Sequence, residues 1–275
     1  MIDIKTKNLN IDNKGQVYYL TFPGFNKYSF LVHGFSTRLG GVSSGIYESM
    51  NLGFNRGDDS GNVSENYKLF SEALGINYEN LVFSSQTHGD VIREVKSSDR
   101  GKGMIRDKDY DSVDGLITNV PGIFLVGLFA DCVPIYFLDP VKRVAAIAHS
   151  GWRGTVLQIG RKMVDRFMKY GSLKEDILVG IGPSIGPCCF QVGAEVAEEF
   201  KSLPFKTDSF IKNDGKDKYK IDLWEINKAI LINSGINEKN ITVTDVCTKC
   251  NSKFLFSHRG SNGKRGSLAG IIGLK

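Results

Sequence analysis

A chain of 275 residues with 41 % hydrophobic and 24 % charged residues has the balance of a folded globular protein of one or two domains. That balance excludes a disordered chain, and the length supplies a full hydrophobic core without disulfides or structural metals. The net charge of +5 comes without a basic stripe or interleaved aromatics, so an anionic small substrate such as phosphate is expected and a nucleic-acid partner is not.

The opening stretch MIDIKTKNLNIDNKGQVYYL is polar and has no apolar signal core. The most apolar run, residues 123–138, is interrupted by Asp131 and Pro134 and is too short for a membrane span. A cytoplasmic location without membrane contact is therefore expected. Five cysteines, an odd number, argue against a pure disulfide framework. In a reducing compartment they serve as core residues, metal ligands or nucleophiles.

Strands rich in β-branched and aromatic residues are expected over 16–22 and 29–35. A helix over 64–74 begins at Ser64, gathers Tyr67, Phe70 and Leu74 on one face and stops at Gly75. Strands follow over 80–86, 91–96, 115–118, 123–129, 133–138 and 143–149. A single helix over 154–170 sets Val156, Ile159, Met163 and Phe167 at three- and four-residue intervals and ends at Gly171. After a strand over 177–182 come a short helix over 193–201 and a longer one over 223–234. The longer helix has Asp222 as N-cap, Glu225 three residues on, and Gly235 past its end. Strands over 241–247 and 253–257 complete the inventory. No repeat or linker divides the chain, so residues 1–275 read as one compact unit: a mixed sheet, or a pair of sheets, with helices outside.

The candidate chemistry lies in few places. Of four histidines, His88 follows a strand in SSQTHGD, and His149 closes the strand RVAAIAH before SGWRGT. Cys132 lies in ADCVP between two apolar strands. Separations of 44 and 17 residues exclude a local metal motif of the HExxH or CxxC kind. If the three meet, two imidazoles and a thiolate suit zinc and leave a fourth position open. If they do not, Cys132 packs as a small apolar residue. Asp131, flanked by apolar residues, is costly to bury unless paired; it either orients a histidine, acts as an acid or base, or sits exposed at a strand end. Arg153 opens a helix between Gly151 and Gly154, where free N–H groups and a guanidinium make an anion site. Arg38, in the loop STRLGGVSSG, is a candidate second contact, although each arginine alone reads as a surface residue. Cys247 and Cys250 form a single CxxC with no second pair at zinc-ribbon spacing, and Cys188 and Cys189 are adjacent. These four are expected to be structural thiols without a closed metal site.

Taken together, HGFSTRLGGVSSGIYESMNLG, SSQTHGDVI, VDGLIT, ADCVPIYFLDP, AAIAHSGWRGT, GIGPSIGPCCFQVG and FSHRGSNGKRGSLAGIIGL resemble the laccase-domain family from about residue 30 to 272. Members of that family, once described as multicopper polyphenol oxidases, are known as purine nucleoside phosphorylases with adenosine deaminase and methylthioadenosine phosphorylase activities. The resemblance implies an α+β fold of packed mixed β-sheets flanked by helices. It implies His88, Cys132 and His149 as metal ligands, with zinc the expected metal and copper the less favoured one. It also implies Arg38, Asn51 and Arg153 at a pocket for a purine nucleoside and phosphate. Many relatives carry a second arginine after the SHR segment, where this chain has Gly260.

The leading expectation is a zinc enzyme that splits adenosine, inosine, guanosine and methylthioadenosine with phosphate, giving base plus ribose 1-phosphate for the nucleosides. The same enzyme would deaminate adenosine to inosine, with Asp131 moving protons. Two alternatives use the same residues. A copper-dependent polyphenol oxidase would have only His33 and His258 left for further copper ligands. A cysteine hydrolase or amidase would use Cys132 as nucleophile and His149 as base.

Overall fold

The computed structural model describes residues 3–275. Its elements run β1 (Asn10–Lys14), β2 (Val17–Thr21), β3 (Leu31–Ser36), α1 (Ser60–Leu74), β4 (Leu81–Phe83), β5 (Ile92–Glu94), β6 (Gly115–Thr118) and β7 (Ile123–Phe129). Next are β8 (Val133–Asp139), β9 (Val144–Ser150), α2 (Trp152–Val156), α3 (Ile159–Lys169), β10 (Leu178–Ile181), β11 (Gln191–Gly193) and α4 (Ala194–Glu199). The series ends with β12 (Ile211–Asn213), β13 (Lys218–Ile221), α5 (Leu223–Asn233), β14 (Ile241–Val243) and β15 (Leu268–Leu274).

Two six-stranded mixed sheets, ordered β1-β2-β3-β15-β7-β4 and β14-β10-β8-β9-β6-β5, face each other, and a small sheet β11-β13-β12 stands beside them. Strand alternation builds the layers. In β9, Ala145 and Ile147 point between the two large sheets, while Val144, Ala146 and Ala148 point outward. In β7, Leu125 and Phe129 point inward, and Phe124 and Val126 outward. The outer face of the first sheet is covered by Val63, Tyr67, Phe70 and Leu74 of α1. That of the second is covered by Met163, Val164 and Phe167 of α3 with Ile226 and Ile230 of α5. The expected α+β architecture of packed mixed sheets flanked by helices is therefore the one observed. No described helix is long and apolar enough to cross a membrane.

The differences from expectation have local causes. Helix α1 starts at Ser60 rather than Ser64, because the Asp59 carboxylate accepts from the Gly61 and Asn62 N–H groups (2.7 and 3.1 Å). The helix expected over 154–170 is two helices: Gln158 is left-handed, with φ at 56°, and splits α2 from α3. Helix α4 ends in a short 3-10 turn, and α5 has the expected Asp222 cap. Residues 253–257 form no strand. Leu255 and Phe256 fill the core from a turn whose backbone pairs with Asn251 and Arg38. Strand β15, absent from the expected strands, is central in the first sheet, between β3 and β7. Its glycines mark packing rather than turns: a Cβ on Gly270 would stand 2.5 Å from the Tyr136 hydroxyl, and one on Gly273 would stand 2.3 Å from the Ile123 carbonyl.

Candidate active site

The connections between the two large sheets converge at one end of the sandwich. Cys132 lies in the tight turn that carries the chain from β7 in one sheet to β8 in the other, a turn made with Asp131 in the left-handed region (φ 87°). His149 is the penultimate residue of β9 and is paired with Pro134 of β8, close to that turn. His88 sits in the loop between β4 and β5, itself left-handed at φ 65°.

Asp114, immediately before β6, organises all of this. Its fully buried carboxylate accepts from the His88 N–H at Oδ1 (3.0 Å) and from the Thr87 and Gly89 N–H groups at Oδ2 (3.0 and 2.9 Å). The His149 Nδ1–H donates to the same carboxylate (2.8 Å), and the His149 N–H donates to the Asp114 carbonyl (2.8 Å). One aspartate thus sets the His88 loop and engages His149 Nδ1, leaving Nε2 to face Cys132. Burial opposes ionisation of Asp114, but the His149 hydrogen bond and then the backbone N–H groups outweigh it and hold the carboxyl below its ordinary value of 3.8.

As a result, one donor atom from each of His88, Cys132 and His149 lies within 4.8 Å of the other two, graded from exposed His88 to buried His149. The imidazole rings meet nearly edge to face, 5.0 Å apart. Burial opposes ionisation of the Cys132 thiol, yet His149 and then His88 bring it down to about 6. Burial likewise opposes protonation of His149, while Cys132 and Asp114 raise it to about 9. Gly151 keeps the space between the donors clear, since a Cβ there would stand 3.1 Å from Cys132 Sγ and 3.2 Å from His88 Cδ2. Behind it, Ser150, Thr155 and Asn227 form a buried hydrogen-bonded triangle that ties β9 and α2 to α5.

These donors open into a cavity of about 1020 Å³. Its walls carry Phe54, Phe83, Phe129, Trp152 and Phe190, and a cationic side made by Arg56, Arg259 and Arg265. Burial, with Arg56 nearby, pulls the Arg265 guanidinium down to about 10. Its NH1 donates to the Gly266 carbonyl and the Ser267 hydroxyl, while its buried Nε has no partner. Like charges held together with a donor unmatched describe an anion site.

A protein-family model described as multi-copper polyphenol oxidoreductase laccase matches residues 32–275. The chain belongs to this family. Among its laccase-domain relatives, the Bacillus subtilis protein named purine nucleoside phosphorylase YlmD is 38 % identical over 250 residues, covering 89 % of each chain. The protein named adenosine deaminase RL5, from an unknown prokaryotic organism, is 34 % identical over 231 residues, covering 83 % of this chain and 88 % of its own. The crystal structure of the Bacillus licheniformis hypothetical protein YfiH superposes with a TM-score of 0.91 at 36 % identity, covering 96 % of this chain and 99 % of the other.

In this laccase-domain chain the family description's multiple coppers find few ligands. Among the described residues only two groups of three or more metal-ligating side chains converge: the His-Cys-His set and a cluster of four cysteines. His33 is no candidate ligand. It is a core histidine whose Nε2 accepts from the Phe22 N–H (2.8 Å), and burial drives its pKa down to about 3.

The remaining sequence candidates take other places. Asp131 lines the cavity, but Oδ1 accepts from the Thr248 hydroxyl and Oδ2 from the Arg259 N–H, both at 2.6 Å. Arg38 is not a cavity residue: it donates to the Glu48 and Ser252 carbonyls and lies over the Phe256 ring. Arg153 is exposed and stacked on Trp152, outside the lining. Asn51 is fully buried beneath the cavity wall, where its Oδ1 accepts from Gly53 and Ser267 and its amide donates to Asp58. It positions the segments that carry Arg56 and Arg265. Sequence reasoning missed Asp114, Arg56, Arg259 and Arg265. The signals were present, however: VDGLIT sets an aspartate before an apolar strand as ADCVP does, and SHRGSNGKRG sets arginines in a glycine-rich loop.

Proposed function

We propose that this chain is a zinc-dependent purine nucleoside phosphorylase that also deaminates adenosine. Its substrates are the nucleosides adenosine, inosine, guanosine and methylthioadenosine, with phosphate as co-substrate. The observation that carries this reading is a single cavity with a three-donor centre at its base and an arginine cluster on its wall. The names of the Bacillus subtilis and RL5 relatives support the substrate class.

The donor set fits zinc. Ligand bonds of about 2.0–2.3 Å place tetrahedral donors about 3.3–3.8 Å apart, inside the observed limit. The carboxylate on His149 Nδ1 is the usual support for a zinc-bound imidazole, and Gly151 leaves room. His88, Cys132 and His149 would hold the ion, with Cys132 as thiolate. Bound there, zinc supplies Lewis acidity and lowers the pKa of water toward neutrality.

The chain's own groups do the rest. Arg56, Arg259 and Arg265 hold phosphate against the anomeric carbon as the bond to purine N9 breaks and its electron pair leaves with the base. The aromatic walls accept the purine and keep water from the developing positive charge on the sugar. Both oxygens of Asp131 are engaged in holding Thr248 and the Arg259 backbone, so its role is to position Arg259.

Product analysis of zinc-loaded protein with adenosine tests the reading. Adenine and ribose 1-phosphate are expected only with phosphate, and inosine without it. Arg265→Leu should raise the KM for phosphate by about 10- to 100-fold, the equivalent of one hydrogen bond to a charged group, while deamination persists. If neither product forms, the assignment fails.

The line Asp114–His149–Cys132 also favours a second reading, a cysteine hydrolase with a thiolate–imidazolium pair. Such an enzyme has no use for His88 as a third donor, which ranks the metal reading first. Alkylation separates the two. Zinc should protect Cys132, and after chelation its alkylation should rise with pH around a midpoint near 6 rather than 9. Rapid alkylation that zinc does not slow would favour the hydrolase.

A further inference from the structure

The second convergence of ligands lies away from the three-donor centre. Strands β10 and β14 are parallel neighbours, with Val179 opposite Ile241, so the loops leaving their C-terminal ends lie side by side. The first loop runs through GPSIGPCCF and the second through DVCTKC. A bridge between Ser184 and Cys247 fixes the loops together, reinforced by the Thr248 N–H donating to the Ser184 carbonyl (2.9 Å). The adjacent Cys188 and Cys189 thereby face the CxxC pair Cys247 and Cys250. Sequence spacing spoke against a closed four-cysteine site, but the second pair comes from another loop and needs no ribbon spacing.

The four thiols have the dimensions of a coordination shell. All four sulfurs lie within 4.8 Å of one another, with Cys188 and Cys189 3.6 and 3.5 Å from Cys250. A tetrahedron of sulfurs about 2.3 Å from a central zinc has edges of about 3.8 Å. A disulfide would need about 2.05 Å, would use two thiols and would leave the convergence of the other two without a cause. The surrounding backbone suits a sulfur ligand, since the Gly186 N–H points at Cys247 Sγ (3.2 Å).

We propose that Cys188, Cys189, Cys247 and Cys250 form a second metal site, a closed tetrathiolate that binds zinc and staples the two loops together. Binding exchanges up to four thiol protons for one Zn(II), with no redox step. The staple stands behind the cavity wall. Ile185 and Phe190 of the first loop line the cavity, and Thr248 of the second holds Asp131. The site has no open position and serves stability rather than turnover. The inference does not depend on the nucleoside reading.

The test is metal counting on the full chain, purified under reductant without chelator, loaded with Zn(II) and desalted. Wild-type protein should retain two zinc ions per chain, and Cys188→Ser/Cys250→Ser should retain one and melt at a lower temperature. Should that variant fail to fold, Cys132→Ala protein keeps all four thiols. Its remaining zinc should give an X-ray absorption shell of four sulfurs at about 2.3 Å. Folded Cys132→Ala protein that retains no zinc, a first shell containing nitrogen or oxygen, or an anaerobic preparation with Cys250 in a disulfide would each overturn the proposal.

Discussion

Cys132→Ala is expected to reduce both phosphorolysis and deamination by about a thousandfold or more, the equivalent of about 4 kcal/mol of transition-state stabilisation. The substitution removes one sulfur from a partly buried turn position. The turn itself is held by Asp131 through Thr248 and Arg259, so the fold should survive with little change in melting temperature. Zinc bound per chain should fall by one. Binding of phosphate to the arginine wall should persist, which separates loss of the metal centre from collapse of the cavity. Steady-state rates and metal content on the same preparation decide the matter. A variant that stays fully active without that metal would defeat the zinc assignment.

The second large effect is expected at a residue that touches no substrate. Asp114→Asn keeps the shape but removes the charge and half the acceptors. In the native protein three backbone N–H groups and the His149 imidazole all point at this carboxylate. An amide oxygen can serve one side of that set, and its NH2 then faces donors. Leaving a buried donor unmatched costs about 1–3 kcal/mol, so a destabilisation of this order is expected. The His88 loop and the His149 ring would also lose their common anchor, so zinc affinity should fall by about 10- to 100-fold. Zinc titration against a competing chelator, read beside thermal melts, measures both effects. Unchanged affinity in a destabilised variant would mean that Asp114 supports the fold alone.

The layers of the fold were largely legible, since β6 and β7 fall where their apolar runs lie, β8 runs one residue longer and β9 is shifted by one residue. What stayed hidden had physical reasons. The polar strands β1 and β12 are sheet edges, and β13 is the middle of a small, largely exposed sheet, so burial writes no pattern in them. The break at Gln158 uses a left-handed residue of a type that does not advertise one. In the site, His88, Cys132 and His149 could be named because histidines are scarce, yet only the fold places them within reach of one another. The arginines were harder. Arg38 and Arg153 share the glycine-rich settings of Arg56 and Arg265, and which of them faces a cavity depends on loop direction rather than composition. The four-cysteine cluster was missed for a related reason, because its two halves are brought together by the parallel pairing of β10 with β14.

Strand β15 carries a consequence for the order in which this molecule is made. It is made after every other strand described, yet it joins β3 to β7 at the centre of its sheet. Until Leu268–Leu274 leave the ribosome, β2 and β3 have no strand connecting them to β7. Contacts spanning more than 200 residues then form late and slowly. Until that strand is made, Leu31, Phe35 and Leu125 lack the partners that bury them, and the earlier strands hold apolar surface open to solvent.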